Sequence, residues 1–507
     1  MSAFAQDLER RLVPRWRFSD SRANSAEFAS DPRSKRASTL DKAYLDEKLF
    51  DWELNRSIGN AIDLISCGVS GRWLEEIQPA AEYLLQQGDV LSPQANALAT
   101  RAIQLTSTTK DADLGTQLFL PEVTFRSVCL RVSNSRRKLH RDPRNVLAWL
   151  DLARAYTILG EREKAVQSIE RALFLAPHHR QVLRSAVRLF VHTEDKDRAH
   201  TLLIRNSRTS NDPWLIAAEI AIAKIAGRNP RFVRQGRQIV ENSGLPPDHL
   251  SELQSALGTA EFYGGANRKA KQRFRASLLA PTDNALAQAR WMRTKLPGIH
   301  IDEDAFKLPL GFEARSWQGL EQGRWNDARN ECEMWLTDEP YSSRPATVGS
   351  YIGISLTNDF AFAETCARAG LTADPNEEIL RNNLTVALAY QGKLEEAITE
   401  FNKIATPLNS DFPAYVYVAT AGLLQFRLGD IVSGREMYKK AERKAPKERR
   451  HRVAIFRARE EVAAGTAEAD EQLRRALDYK PKDNEKATLR LQTLLKEQSE
   501  ATRSDLV

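Results

Sequence analysis

Apolar residues recur at helical spacing in the two halves of residues 146–179, on either side of Gly160. They are Trp149, Leu152, Ala153 and Tyr156 in the first half, and Ala165, Ile169, Ala172 and Leu173 in the second. Residues three and four apart lie on one face of an α-helix, so each half predicts an amphipathic helix. Gly160 can end the first helix in a left-handed conformation, and Pro177, which has no backbone donor, ends the second. The segment therefore predicts a helical hairpin.

One such hairpin cannot bury its own apolar faces, so further copies should stack on it. The spacing from Gly160 to Ala165 and Pro177 recurs, with small departures, in later segments. The best copies contain Gly265, Ala270, Phe274 and Pro281; Gly323, Ala328 and Pro340; Gly392, Ala397 and Phe401; and Gly429, Tyr438, Ala441 and Pro446. Weaker copies begin near Arg180, Asn211, Arg344 and His451. We expect about nine hairpins between residues 146 and 481.

This pattern resembles the tetratricopeptide repeat, a family of helical hairpins with a period of about 34 residues. The resemblance rests on Trp149, Leu152, Ala153, Tyr156, Ala165, Ile169, Ala172 and Pro177 and their later counterparts. It covers roughly two thirds of the chain and implies an all-α fold, an α-solenoid of stacked helical hairpins. In this family the first helices of the repeats line a concave surface, which is the usual ligand groove.

Changes in composition divide the chain into six predicted segments. They are an N-terminal arm at 1–38, divergent helical hairpins at 39–145, a first block of repeats at 146–296, an interrupting loop at 297–310, a second block at 311–482, and a C-terminal helix and tail at 483–507. The arm has little periodicity, so we expect it to be poorly ordered or to fold against a partner. Pro297 and Pro309 predict a loop that marks a kink or a subdomain boundary. The β-branched run at 414–422 keeps the repeat register, so we expect it to be helical.

Composition narrows the class of protein. Apolar residues make up 42% and charged residues 28% of the 507 residues, which is typical of a folded protein. No apolar run approaches the length of a membrane span, and charges near the N-terminus interrupt any signal-peptide pattern. We therefore expect a cytoplasmic protein without membrane association. The cysteines at 67, 129, 332 and 366 are too scattered for a disulfide framework or a structural zinc site.

A search for catalytic chemistry finds neither a phosphate-binding loop nor a nucleophile elbow. His178 and His179 adjoin, but neighbouring side chains on a turn rarely bind one metal ion. His300 and the acidic residues at 302–304 form the most polar group in the chain, which is either an exposed acidic loop or a cation site. We predict no catalytic residue, no cofactor and no metal site, so the protein is not expected to be an enzyme.

The positive charge of the chain is concentrated. The formal net charge is +7, and residues 435–459 contain eleven Lys or Arg side chains against three Glu. The basic patch predicted in this window consists of Lys439, Lys440, Arg443, Lys444, Lys447, Arg449 and Arg450. Three interpretations remain: a solvated helix face, a nucleic-acid or polyanion surface, and a contact for an acidic protein. No nucleic-acid recognition motif accompanies the charge.

Candidate groove residues follow from the repeat register and from the tetratricopeptide resemblance. They are Arg154, Arg184, Arg188, Asn382, Asn383 and Tyr390. Arg184 and Arg188 are one helical turn apart and would project together, which suits a carboxylate or an acidic side chain. Simple solvation of exposed arginines is the alternative.

These observations predict a non-catalytic scaffold or adaptor that binds a peptide or protein partner on the concave face of the solenoid. Affinity would come from a few anchoring residues on a long, shallow surface. The alternative is a basic helical solenoid that binds nucleic acid within a processing or defence complex.

Overall fold

The computed structural model describes residues 12–19, 42–71, 74–87, 95–96, 98–100, 102–103, 121–404, 414–482 and 485–504. Every regular element in these ranges is helical, which confirms the predicted all-α class. None of the helices they contain is both long and apolar enough to cross a membrane.

Besides helical residues within 95–103, four helices with described bounds precede the repeats: α1 Lys42–Leu54, α2 Ile58–Gly71, α3 Leu74–Gln86 and α4 Pro121–Arg141. Helices α1 to α3 pack around their own cluster of buried side chains, which includes Trp52, Leu64 and Ile77. Helix α4 packs against the first helix of the repeats.

Nine helical hairpins follow within the described residues, as the repeat count predicted. Their helices are α5 Val146–Ile158 with α6 Arg162–Leu175, α7 Arg180–His192 with α8 Lys196–Arg205, α9 Pro213–Ile225 with α10 Val233–Asn242, α11 Pro247–Tyr263 with α12 Asn267–Ser277, α14 Phe312–Gln322 with α15 Trp325–Asp338, α16 Ser343–Ile352 with α17 Phe360–Ala373, α18 Glu378–Tyr390 with α19 Leu394–Asn402, α20 Ala414–Arg427 with α21 Ile431–Lys444, and α22 Arg450–Ala463 with α23 Ala469–Asp478. A lone helix, α13 Asp283–Arg293, lies between the fourth and fifth hairpins, and α24 Lys486–Ser504 follows the last.

Local sequence explains the boundaries of the first hairpin. The Asn145 side chain accepts a hydrogen bond from the Ala148 N–H at 3.0 Å and so caps α5. Gly160 has φ of +74°, the left-handed conformation expected of it. The run at 414–422 belongs to α20, so the prediction of a helix there is confirmed.

The interrupting loop at 297–310 takes the place of a second helix after α13. It contains one short 3₁₀ helix, Glu303–Lys307. Its apolar side chains Ile299, Ile301 and Phe306 are buried in one cluster with residues of α12, α13 and α14. The loop is thus a packed connection between the two blocks of repeats.

The second block of repeats packs against the first hairpin. A Cβ added at Gly160 would lie 2.4 Å from the carbonyl oxygen of Thr372, near the end of α17. Arg154 of α5 donates to the backbone carbonyl of Asp338, at the end of α15, at 2.9 Å. Tyr341, just after α15, belongs to the hydrophobic cluster of the first two hairpins. The solenoid therefore closes one turn and encloses a central groove.

Candidate peptide-binding groove

Residues 12–19, called the N-terminal segment below, run through this central groove. Leu12, Val13 and Trp16 are only 2%, 2% and 1% exposed. The sequence predicts that the arm at 1–38 is poorly ordered or folds against a partner. Its residues 12–19 fold against the repeats of the same chain, and the remainder of the arm lies outside the described residues.

The first helices of the repeats form the wall around the segment. Helices α7, α9, α11 and α13 have buried residues along nearly their whole length. Their outer sides are covered by the second helices of the hairpins and, at α13, by the interrupting loop, and their inner sides face the groove. This arrangement explains why polar residues on the first helices are buried in a repeat whose concave face is usually exposed.

Apolar anchors hold the start and the middle of the segment. Leu12 packs in a cluster with residues of α9 and α11, including Ile216 and Leu253. Trp16 packs in the cluster of the first two hairpins, and its ring lies 6.0 Å from the ring of Tyr341. Burial of a large aromatic side chain such as Trp16 makes a major contribution to binding energy at an interface.

Side chains of the groove bind the segment's main chain. The carbonyl of Trp16 accepts from Arg154 Nε at 2.7 Å and from the Tyr341 hydroxyl at 3.2 Å. At its end, Ser19 donates to the Asp151 carboxylate through its N–H at 2.7 Å and its hydroxyl at 2.6 Å. These contacts satisfy backbone groups that burial removes from water.

Arg15 lies close to three carboxylates of the groove, which are on α13, on α14 and just after α15. Its Nη1 lies 2.9 Å from Glu339 Oε2, and its Nη2 lies 2.8 Å from Glu313 Oε2. Its Nε lies 2.9 Å from Asp283 Oδ2. Arg15 and the two glutamates are almost fully buried, so these ion pairs are shielded from solvent.

Arg17 also binds this group of carboxylates, called the acidic wall below, which consists of Asp283, Glu313, Asp338 and Glu339. It donates from Nε to Asp338 Oδ1 at 2.8 Å and from Nη2 to Asp338 Oδ2 at 2.6 Å, which is a bidentate pair. Its Nη2 also lies 2.6 Å from Asp283 Oδ2. Asp283 therefore contacts both arginines of the segment.

The arginines set the ionisation of this acidic wall. Burial alone would raise the pKa of Glu339, but Arg15, Arg188 and Arg344 outweigh it and lower this pKa to about 2. Burial likewise opposes ionisation of Asp283, and Arg17 and Arg15 outweigh it, so the pKa of Asp283 is lowered. Glu339 and Asp283 are thus anionic at neutral pH.

The structure places two of the predicted groove residues, Arg154 and Arg188, beside the segment. Arg154 binds the Trp16 carbonyl and stacks on Phe18, with 4.0 Å from its guanidinium carbon to the ring centroid. Arg188 lies 3.5 Å from Glu339 and over the Tyr341 ring.

Arg184 is fully buried and pairs with Glu252 at 2.9 Å. Arg184 and Arg188 were predicted to form a site for a partner's carboxylate, and both face carboxylates of the chain itself. An external acidic ligand would have to compete with these internal pairs, and binding of such a ligand by the two arginines stays a prediction.

The other three candidates lie in the second block. Asn382 is buried and accepts from the Thr420 hydroxyl at 2.8 Å, and Asn383 donates to Ser350 Oγ at 2.9 Å. The ring of Tyr390 stacks on Phe360, with the ring centroids 4.6 Å apart. Asn382 and Asn383 thus join helices. Tyr390 lines a separate hollow of about 320 Å³ with Asn358, Phe360, Arg427, Arg459, Ala463, Leu494, Glu497 and Gln498.

The predicted basic patch lies on α21 and the turn after it. Six of its seven side chains are exposed and that of Arg449 is half-buried. Lys439 pairs with Glu436 at 3.0 Å. Three further cations of the 435–459 window point elsewhere: Arg435 and Arg457 pair with Glu461 and Glu468, and Arg459 donates to Asn358. The exposed patch is therefore smaller than the charge run in the sequence.

The polar group around His300 is an exposed part of the interrupting loop. His300 Nε2 lies 2.9 Å from Asp302 Oδ1, and both side chains are at least 80% exposed. In the part of the chain that the structure describes, no three His, Cys, Asp or Glu side chains converge as metal ligands.

The N-terminal segment was not predicted as an element of the site. The signal was present as the run LVPRWRFS at 12–19, in which apolar and aromatic residues alternate with arginine inside a polar arm. Its acidic counterparts Asp283, Glu313, Asp338 and Glu339 are spread over 57 positions of sequence, and only the closed turn brings them together.

Comparison with known proteins supports the repeat assignment. Residues 146–179 match the family model described as tetratricopeptide repeat, which confirms the predicted resemblance for the first hairpin. No curated protein sequence matches the chain.

Three solved structures illustrate the structural comparisons. A tetratricopeptide repeat protein from Parabacteroides merdae is 15% identical, with 60% of this chain and 99% of that chain covered and a TM-score of 0.30. Yeast Tom70 is 13% identical, with 90% and 92% covered and a TM-score of 0.29. Cut9–Hcn1 of the APC/C is 12% identical, with 69% and 79% covered and a TM-score of 0.26.

Proposed function

We propose that this tetratricopeptide-like solenoid is a non-catalytic interaction scaffold whose central groove binds a peptide segment of a protein partner. One observation carries the proposal: the groove holds residues 12–19 by contacts to both main chain and side chains. A surface that binds one irregular segment through buried anchors and charge pairs has the properties of a peptide-binding site.

The test begins with affinity purification of the tagged protein from its native cells, with and without nuclease, followed by mass spectrometry. We expect a stoichiometric protein partner that survives nuclease. A photo-reactive amino acid is then placed at Tyr341, whose ring lies beside Trp16 in the groove, and at Phe174, which is 80% exposed on α6. Cross-linking of the partner from position 341 and not from 174 supports the scaffold; cross-linking only from 174 contradicts a partner on the inner face.

Binding of nucleic acid is a second candidate function, favoured by the exposed patch on α21 and its following turn. Lysine and arginine side chains that neutralise phosphates release counterions, so such binding weakens steeply with salt. We expect salt-dependent binding that is lost on replacing four residues by Glu: Lys439, Lys440, Arg443 and Lys444.

The control for this charge reversal is the same change at four basic residues of α12. They are Arg268, Lys269, Lys271 and Arg275. Equal loss of binding in both variants would show a general charge effect, and binding that does not respond to salt would dismiss this candidate.

A further inference from the structure

We infer that the N-terminal segment is an intramolecular competitor for the groove, and that the external partner carries an extended segment in which two arginines flank an aromatic residue. This inference rests on the proposed function of the groove as a peptide-binding surface. It specifies the chemistry of the ligand, and it identifies the N-terminal segment as the element that controls access to the groove.

The excess negative charge of the groove favours a cationic ligand. Four carboxylates, those of Asp283, Glu313, Asp338 and Glu339, contact the two segment arginines. Two arginines of the groove, Arg188 and Arg344, contact the same group of carboxylates. The acids therefore exceed these groove cations by two, and Arg15 and Arg17 supply the two missing charges. Buried carboxylates without such counter-charges would be strongly destabilising.

The geometry selects arginine over lysine. Arg17 offers two parallel N–H groups to the two oxygens of Asp338. Arg15 donates hydrogen bonds to two different carboxylates through Nη1 and Nη2, and its Nε lies 2.9 Å from a third. A lysine ammonium is a single point charge and cannot reproduce either fork.

The spacing of the contacts favours an extended segment whose side chains alternate between two sides of the groove. Asp283 lies within 3 Å of both Arg15 and Arg17, so these two side chains point to the same wall. The intervening Trp16 packs beside Tyr341, in the cluster of the first two hairpins. Side chains two residues apart share a side only when the chain is extended. The groove thus recognises Arg–aromatic–Arg.

The segment is built as a separable ligand. Its residues 13–19 contain no helix, and its polar contacts to the solenoid run through groove side chains such as Arg154, Tyr341 and Asp151. The hairpins pack against each other through their own helices. A partner segment with the same chemistry can therefore take its place while the hairpins remain stacked.

The test uses the full chain with Trp16→Ala, which shrinks the main apolar anchor and leaves all four carboxylates paired. The probe is a fluorescent peptide of residues 12–19, LVPRWRFS, and the readout is anisotropy. Because the apparent Kd rises as the free fraction of the groove falls, we expect the variant to bind the peptide at least tenfold more tightly than the unaltered chain does.

Two altered peptides and one altered protein serve as controls. A peptide with both arginines changed to Glu should not bind, and one with both changed to Lys should bind at least tenfold more weakly than LVPRWRFS. Trp52→Ala removes an equally buried tryptophan from the separate cluster of α1 to α3. It should leave peptide binding as in the unaltered chain. Circular dichroism verifies that both protein variants are folded.

The possible outcomes affect the peptide-binding scaffold and the inferred competitor differently. Equal binding of the arginine and glutamate peptides by Trp16→Ala would overturn the assigned ligand chemistry and leave the peptide-binding scaffold standing. A folded Trp16→Ala chain that binds no peptide would overturn both, because the segment would then be a fixed part of the core. A sedimentation mass of two chains would assign the segment in each groove to a second copy and overturn the intramolecular competitor.

Discussion

At the scale of single residues, the groove is organised by the balance between burial and charge. Removing a carboxylate from water favours its neutral form, and nearby guanidinium groups reverse that preference. At Glu339 the effect of the arginines exceeds that of burial. The pKa of this residue is therefore lowered to about 2, although its side chain is only 3% exposed. The stability of this region therefore depends on keeping both signs of charge together.

Removal of one partner from this network should be costly. We expect Arg15→Ala to lower the free energy of unfolding by about 3–5 kcal/mol, because it leaves buried carboxylates without a counter-charge. Urea denaturation followed by circular dichroism measures the change.

The matched control is Arg324→Ala. Arg324 pairs with Asp327 at 2.8 Å, but both side chains are more than half exposed. We expect this variant to change stability by no more than about 0.5 kcal/mol. Similar losses in the two variants would mean that the segment's ion pairs are effectively solvated.

His192 should make stability depend on pH. Burial, followed by Arg188 and Arg162, lowers the pKa of this histidine to about 4. In the unfolded chain it titrates near its ordinary value of about 6.5, so between these values the unfolded state binds more protons. Stability should therefore fall by up to about 3 kcal/mol as pH drops from 6.5 to 4, and unfolding midpoints across that range measure the fall.

His192→Gln separates this contribution from that of the acidic wall. The variant should show a smaller fall in stability between pH 6.5 and 4, and the part that remains includes the contributions of His179 and His451, whose pKa values burial also lowers. The contribution of Glu339, whose folded pKa is about 2, should then be lost as pH falls from its ordinary value of about 4.5 toward 2. An unchanged slope above pH 4 in His192→Gln would exclude His192 as its source.

At the scale of elements, the interrupting loop shows how an irregular connection can serve a repeat array. A second helix would bury one apolar face against its neighbours. The loop achieves similar burial with Ile299, Ile301 and Phe306, whose exposure is between 3% and 5%. Two neighbouring positions, 300 and 301, have opposite environments, one in solvent and the other in the core.

This contrast predicts the effect of two adjacent substitutions. Ile301→Ala should destabilise the protein by about 2–4 kcal/mol, because it removes buried methyl groups and leaves a cavity. His300→Ala, at a side chain 84% exposed, should change stability by less than about 0.5 kcal/mol. Thermal unfolding of both variants provides the comparison, and a neutral Ile301→Ala would show that the loop is not part of the core.

At the scale of the whole molecule, closure of the solenoid turn creates the groove. The second block approaches the first hairpin at Gly160 and at Arg154. Without this closure, the acids at 338 and 339 would lie far from the segment that they bind. The groove is thus a property of the turn and not of any one repeat.

Two glycines with nearly the same backbone conformation test the closure. Gly160 and Gly392 have φ of +74° and +76°, so alanine at either costs about 1–2 kcal/mol from the left-handed conformation. At Gly160 the added methyl group also meets the Thr372 carbonyl at 2.4 Å, whereas nothing lies within 4 Å of it at Gly392.

We therefore expect Gly160→Ala to be less stable than Gly392→Ala by at least about 1 kcal/mol. Small-angle X-ray scattering should show a larger radius for Gly160→Ala only, because its turn must open. Equal stability and equal radius in the two variants would contradict a tight closure at this point.

The candidate site could be predicted only in part. The repeat register placed Arg154, Arg184 and Arg188 on first helices that face inward, because helical spacing determines which side chains share a face. It could not reveal their partners. Glu252 is 68 positions from Arg184, and Glu339 is 151 positions from Arg188, so these pairs depend on the curvature of the solenoid.

The helical class and the repeated hairpin unit could be predicted from the sequence alone. These features follow from apolar spacing and from the backbone limits of glycine and proline, which act over a few residues. The closure of the array on itself and the place of residues 12–19 inside it are visible only in the folded chain. The physical reason is that small rotations between successive repeats add up over the chain, and a buried ion pair forms only where that sum brings opposite charges together.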